Sequence, residues 1–134
     1  MIIVKPYQIS TSIKGDLSVV NSNDVPFKVK RVFWINNVPK GTWRGGHAHK
    51  ICHQMLLGMS GNITVSGGDG TYCMDGGVGL YVPPLNWIDI CFRSANGSLL
   101  VLASHDYDES DYIRDYAEYL SFPNPVQQSQ AGNH

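Results

Sequence analysis

Apolar and polar positions alternate along residues 26–35, PFKVKRVFWI. Phe27, Val29, Phe33 and Ile35 share one parity; Lys28, Lys30, Val32 and Trp34 share the other. A period of two over this span predicts a strand with one face toward a core. Shorter apolar runs predict further strands at HQMLL (53–57), NITVS (62–66), TYCM (71–74), VGLYV (78–82), WIDICF (87–92) and SLLVLAS (98–104). The joints between them, including SGN, GGDG, DGG and SANG, are made of turn formers. Short strands at such regular spacing predict an all-β sandwich or barrel. The period changes near the end: in DESDYIRDYAEYL, Ile113, Tyr116, Ala117 and Leu120 fall at i, i+3, i+4 and i+7. That stripe predicts one C-terminal helix over 108–120, its acidic start favoured by the helix dipole, covering the barrel or one open end of it. Residues 123–134 carry prolines and amides but no apolar run, so a poorly ordered tail is expected after a single domain of residues 1–122.

Composition narrows the classes of function. The 134 residues are 43% apolar, enough for a sizeable core, and the formal charge of −1 is spread without a basic stripe, so nucleic acid is not an expected partner. No apolar window reaches about 18 residues, and the start, MIIVKPYQIS, lacks the parts of a signal peptide, so neither a membrane span nor export is expected. Cys52, Cys73 and Cys91 are odd in number and far apart, without a CxxC pair. That pattern fits a reducing cytoplasm, with buried inert thiols preferred to a reactive nucleophile.

The candidate chemistry lies in GTWRGGHAHK, residues 41–50. If this stretch is extended, His47 and His49 point to one face with Cβ atoms about 7 Å apart. They are then surface residues, satisfied core residues, metal ligands or proton carriers. The spacing follows the first motif of the cupin barrels: Gly41, five residues, His47-x-His49, then Gln54 where an acidic ligand belongs, then Gly61. The second cupin motif keeps Gly77 and Pro83 but has Leu85 for its glycine and Ile88 for its histidine. A catalytic divalent ion wants three or four protein donors. Two of these positions have lost theirs, so no metal or other cofactor is expected, and proton transfer by neutral imidazole is the preferred role. His53 has the parity to join the pair if the strand is unbroken.

The pieces KRVFWI, RGGHAHK, HQMLL, GLYVPPLNW and LVLASHDYDESDYIRDY resemble the sugar 3,4-ketoisomerases of the cupin superfamily, from about Ile9 to Tyr119. The resemblance implies a small jelly-roll, RmlC-like barrel and a cofactor-independent homodimer. It also implies a dTDP-linked 4-keto-6-deoxy sugar as substrate, with the ketone moved from C4 to C3 through an enediol on the way to amino sugars. The family's catalytic pair aligns with His47 and His49 and its arginine with Arg44. Arg31, Phe33, Trp43 and His53 are candidate substrate contacts, and Trp43 is the best placed of Trp34, Trp43 and Trp87 to stack on a ring. Tyr112 and Arg114 are assigned to folding or to closing the pocket. Phe33 departs from the family, which has tyrosine there; Tyr7, Tyr72, Tyr81 and Asp89 are candidates to supply the missing polar group. Two other readings remain: a 3,5-epimerase on the same substrate, and a non-catalytic nucleotide-sugar-binding cupin.

Overall fold

Every apolar run picked out above forms a strand. The computed structural model describes residues 2–74 and 76–123; residues 124–134, nearly all of the expected tail, lie outside it. In chain order the strands are β1 (Ile3–Pro6), β2 (Gln8–Ser12), β3 (Gly15–Val19), β4 (Arg31–Ile35), β5 (Thr42–His49), β6 (Gln54–Ser60) and β7 (Ile63–Gly67). Then follow β8 (Gly70–Cys73), β9 (Val78–Val82), β10 (Ile88–Phe92), β11 (Ser98–Ala103), β12 (Tyr112–Ile113) and one helix, α1 (Tyr116–Leu120). Two five-stranded antiparallel sheets result, one in the order β1-β9-β6-β11-β4 and the other β12-β5-β10-β7-β8, while β2 and β3 form a hairpin of their own. This is a small cupin-like jelly roll.

Alternation explains which side chains meet. In β11, Leu99, Val101 and Ala103 are buried; with Leu56, Leu80, Ile63, Val65, Ile90 and Phe92 the first two build the main core. The opposite parity of the same sheet is apolar as well: Met55 and Leu57 pack with Val25, Tyr7, Phe27, Leu100 and Leu102 in a second cluster. Both faces of β6 and β11 are therefore covered, which is why their sequences read as unbroken apolar runs.

Two expectations need correction. The strand expected over 26–35 begins only at Arg31, because Phe27 turns to the second cluster against the rings of His53 and Tyr81. The helix expected over 108–120 is divided. Glu109–Asp111 form a 3₁₀ turn capped by Asp108, Tyr112 and Ile113 pair with His49 and Ala48 of β5, and α1 starts afresh at the Asp115 cap. Two capping aspartates seven residues apart interrupt the helical ladder, and fully buried Ile113 gains more as a strand residue beside Ala48. The apolar stripe is not used: Tyr116 and Leu120 stay exposed, and Tyr119 is the buried residue of the helix.

Candidate active site

The site begins with a backbone irregularity. Where β5 pairs with β10, His47 lies opposite Ile88 and Gly45 opposite Asp89, leaving Gly46 as an extra residue. This is a β-bulge, and Gly45 and Gly46 take φ values of +84° and +69°, which side chains with a Cβ rarely adopt. Arg44 and His47 are three residues apart and would face opposite ways on a regular strand; the extra residue turns both to the same cavity. A Cβ on Gly45 would lie 3.0 Å from the Ile88 carbonyl oxygen. Gly45→Ala is therefore expected to destabilise the fold by about 1–2 kcal/mol, read as a lower urea midpoint at unchanged m value. An unmoved midpoint would show that the bulge relaxes freely.

The cavity between the sheets is about 410 Å³. Its aliphatic and aromatic walls come from Phe33, Ile35, Leu56, Ile88, Ile90 and Val101, and its polar groups are Arg44, His47, Gln54, Tyr112 and Arg114, with Trp43 also in the lining. No carboxylate is among the lining residues. Two guanidinium groups thus face the space and no lining carboxylate does, although Arg114 is paired from outside the lining with Glu109; positive charge without a facing carboxylate suits an anionic ligand.

His47 opens into this cavity, and burial, then neighbouring His49 and Arg114, lower its pKa to about 4. It is neutral at pH 7 and free to accept a proton. His49 stands behind it, ring centroids 5.1 Å apart and edge to face, buried and outside the lining. Burial lowers the pKa of His49 too, against the pull of Asp111. The contact of His49 Nδ1 with Asp111 Oδ2 at 2.9 Å is accordingly a neutral imidazole N–H donating to a carboxylate. Asp111 also accepts from the backbone N–H of Ile51 at 2.8 Å and of Cys52 at 3.3 Å. With its Nδ1–H committed, His49 has its lone pair on Nε2. That atom, like His47 Nδ1, is buried with no hydrogen-bond partner among the described residues. Unsatisfied nitrogens on adjoining rings mark a place where polar atoms are held for a ligand or a proton.

The other expected contacts divide. Phe33 and Trp43 line the cavity. Arg31 does not: its guanidinium lies 5.0 Å from the Phe33 ring and 3.9 Å from Cys52 Sγ, behind the wall. His53 is not with the pair either, because the chain leaves β5 at His49 and re-enters the opposite sheet at Gln54. There His53 stacks on Tyr81 and bonds to its hydroxyl at 2.7 Å. None of Tyr7, Tyr72, Tyr81 and Asp89 lines the cavity. Tyr112 does, its ring 5.1 Å from His47 and 4.3 Å from His49, and it brings the one hydroxyl in the lining. Arg114 is aimed by a bidentate pair with Glu109 (2.7 and 3.1 Å) and lies over the Tyr112 ring. The residues missed in the sequence were thus Asp111 and the direct cavity role of Tyr112 and Arg114, all inside the stretch read as a helix.

The cupin metal positions do not form a metal site here. Ile88 has no donor atom and Gln54 is a neutral amide, which leaves only the two imidazoles of the four positions as ordinary ligands. His49, Cys52 and Asp111 bring three donor atoms within 4.8 Å of one another, but the Arg31 guanidinium is already beside that thiol. No reaction step is assigned to a metal.

Residues 3–124 match the family model described as FdtA: WxcM-like, C-terminal. Over 115 residues the chain is 36% identical to the TDP-4-oxo-6-deoxy-alpha-D-glucose-3,4-oxoisomerase of Aneurinibacillus thermoaerophilus, covering 81% of this chain and 83% of that one. A similar solved structure is the 3,4-ketoisomerase QdtA of Thermoanaerobacterium thermosaccharolyticum, as an asparagine-for-histidine mutant in complex with TDP-4-keto-6-deoxyglucose. It matches with a TM-score of 0.77 at 35% identity, over 88% of this chain and 90% of that one. The rmlC epimerase of Mycobacterium tuberculosis reaches a TM-score of 0.73 at only 13% identity, over 83% and 66% of the two chains, a likeness of fold alone. The chain belongs to the FdtA, WxcM-like family, and it is an isomerase.

Proposed function

We propose that this chain moves the ketone of a dTDP-linked 4-keto-6-deoxyglucose from C4 to C3, with His47 as the acid and base. The observation that carries the reading is a neutral imidazole open to a cavity that holds two guanidinium groups and no carboxylate. Arg44 and Arg114 have the charge and the paired donors to hold a diphosphate or an enediolate oxygen. The C3–H bond is acidified by the adjacent ketone. His47 takes that proton, the bonding pair becomes a C3=C4 double bond, and the ketone pair moves to the C4 oxygen. Imidazolium then returns a proton to C4, while the hydroxyl proton leaves the C3 oxygen and is replaced at the C4 oxygen. The net change moves one hydrogen between carbons and one between oxygens, so no external oxidant is needed. His49, held by Asp111, acts as the partner of His47, and Tyr112 supplies the hydroxyl that Phe33 lacks.

Incubation with dTDP-4-keto-6-deoxyglucose in D₂O tests this. Deuterium entering at C3 or C4, with a 3-keto product by proton NMR, is expected. Unchanged substrate with measurable binding would instead support a non-catalytic binding protein, and a product retaining its C4 ketone would support an epimerase. The low pKa of His47 adds a pH prediction. A base works when unprotonated, and the sugar diphosphate does not titrate in this range. kcat/KM is therefore expected to stay level from pH 8 to about 5.5 and to fall only toward about 4, the pKa of the free enzyme's base. A break centred near 6.5 in folded protein would place the essential base elsewhere.

Trp34, Val32 and Met59 are exposed on the outer face of the β1-β9-β6-β11-β4 sheet, the face that carries the second apolar cluster. A second copy is the occupant we assign to that face; a monomer mass by light scattering would contradict it. Cys52, Cys73 and Cys91 are free thiols, in keeping with a cytoplasmic enzyme.

A further inference from the structure

Gln54 is only 4% exposed, lies in the central strand β6 between β9 and β11, and points into the cavity. Its neighbours in register are Val82 and Ala103. The other inward position next along the strand is Leu56. The backbone of Gln54 lies within the ladder, but its carboxamide makes no hydrogen bond among the described residues. Its polar atoms are open to the cavity and not sealed in the core, on a wall that an aliphatic side chain would line at least as well. The group therefore has its partner in what enters the cavity. It is also the only side-chain carbonyl acceptor in the lining, where the guanidinium groups only donate.

We propose that Gln54 contacts the sugar and bridges its C3 and C4 oxygens, donating Nε2–H to the oxygen that becomes anionic and accepting the O–H of its neighbour. This rests on the ketoisomerase reading above. The match is chemical: a monoanionic enediolate presents one O⁻ and one O–H on adjacent carbons, and a carboxamide presents one donor and one acceptor side by side. The bond to the developing O⁻ strengthens as the proton leaves C3, so the contact favours the transition state over the ground state.

Gln54→Leu and Gln54→Met keep the volume and remove both polar atoms. Each is expected to lower kcat by about a hundredfold, to bind dTDP, which lacks the sugar, as the wild type does, and to melt at an equal or higher temperature. Gln54→Glu sets a negative charge beside the enediolate. Its kcat is expected to fall as well, but to recover in part as pH is lowered and the carboxyl group protonates, a recovery absent from the Leu and Met variants. Folded Leu and Met variants with kcat within about threefold of wild type would overturn the proposal. So would failure of both to fold, because the amide would then serve the core. If the wild type itself incorporates no deuterium from D₂O, the underlying reading fails, and that result is distinct because it appears before any substitution is made.

Discussion

His47→Asn is expected to lower kcat by at least about a hundredfold, the usual scale for losing a general base, while dTDP still binds. Asparagine fits the space and can form hydrogen bonds, but it has no lone pair basic enough to take a proton from carbon. The same substitution has a second, independent signature. The pKa of His47 is lowered from 6.5 to about 4 in the folded protein. Between these values the unfolded chain takes up a proton that the folded chain refuses. Wild-type stability is thus fully present above pH 6.5 and declines as pH falls toward about 4, by roughly 3 kcal/mol in all from this one group. Asparagine does not titrate, so His47→Asn should lose less stability than wild type between pH 7 and 4.5. Urea midpoints at the two pH values measure it. Near-normal turnover would remove His47 from the mechanism, and an unchanged acid dependence would show that its ring is hydrated.

Asp111→Asn is the second large effect, expected at a hundredfold or more in kcat together with a loss of about 1–3 kcal/mol of stability. Both carboxylate oxygens are in use: Oδ1 accepts from Ile51 N–H, and Oδ2 accepts from His49 Nδ1–H and Cys52 N–H. An amide has a single acceptor atom. If it serves Ile51, an NH₂ faces His49 and forces the ring proton to Nε2, where the lone pair is needed. If it serves His49, two N–H groups collide at Ile51. Nitrogen-15 NMR of His49 distinguishes these outcomes from plain unfolding, because the tautomer shifts its ring resonances in a protein that still has its sheets. A variant with the wild-type tautomer and full activity would reduce Asp111 to a loop tie.

The sequence showed the barrel where one parity is buried and the other is not. VGLYV and WIDICF could be read almost to the residue, because inward Leu80, Val82, Ile88 and Ile90 flank the half-buried Tyr81 and Asp89. The β2–β3 hairpin could not, since QISTS is exposed at every position and offers no period. Arg44, His47 and His49 were legible from their closeness in the chain and their likeness to a family. Asp111 was not. It is 62 residues from His49, and the two meet through the pairing of β12 with β5, a contact of two residues in a segment whose apolar spacing imitates a helix. Gln54 was visible only as a ligand that had lost its charge; its place in the cavity wall exists only after folding.

The glycine bulge in β5 means that distance along this chain and direction in space are uncoupled at one place. Flattening the bulge into regular pairing, with both glycines kept, would act as a half-turn of everything before it. The imidazoles would still look inward while Arg44 and its positive charge turned to solvent, leaving a proton-transfer centre without one of its handles for an anion. Two adjacent residues with no side chains of their own thereby decide what kind of molecule the barrel can hold.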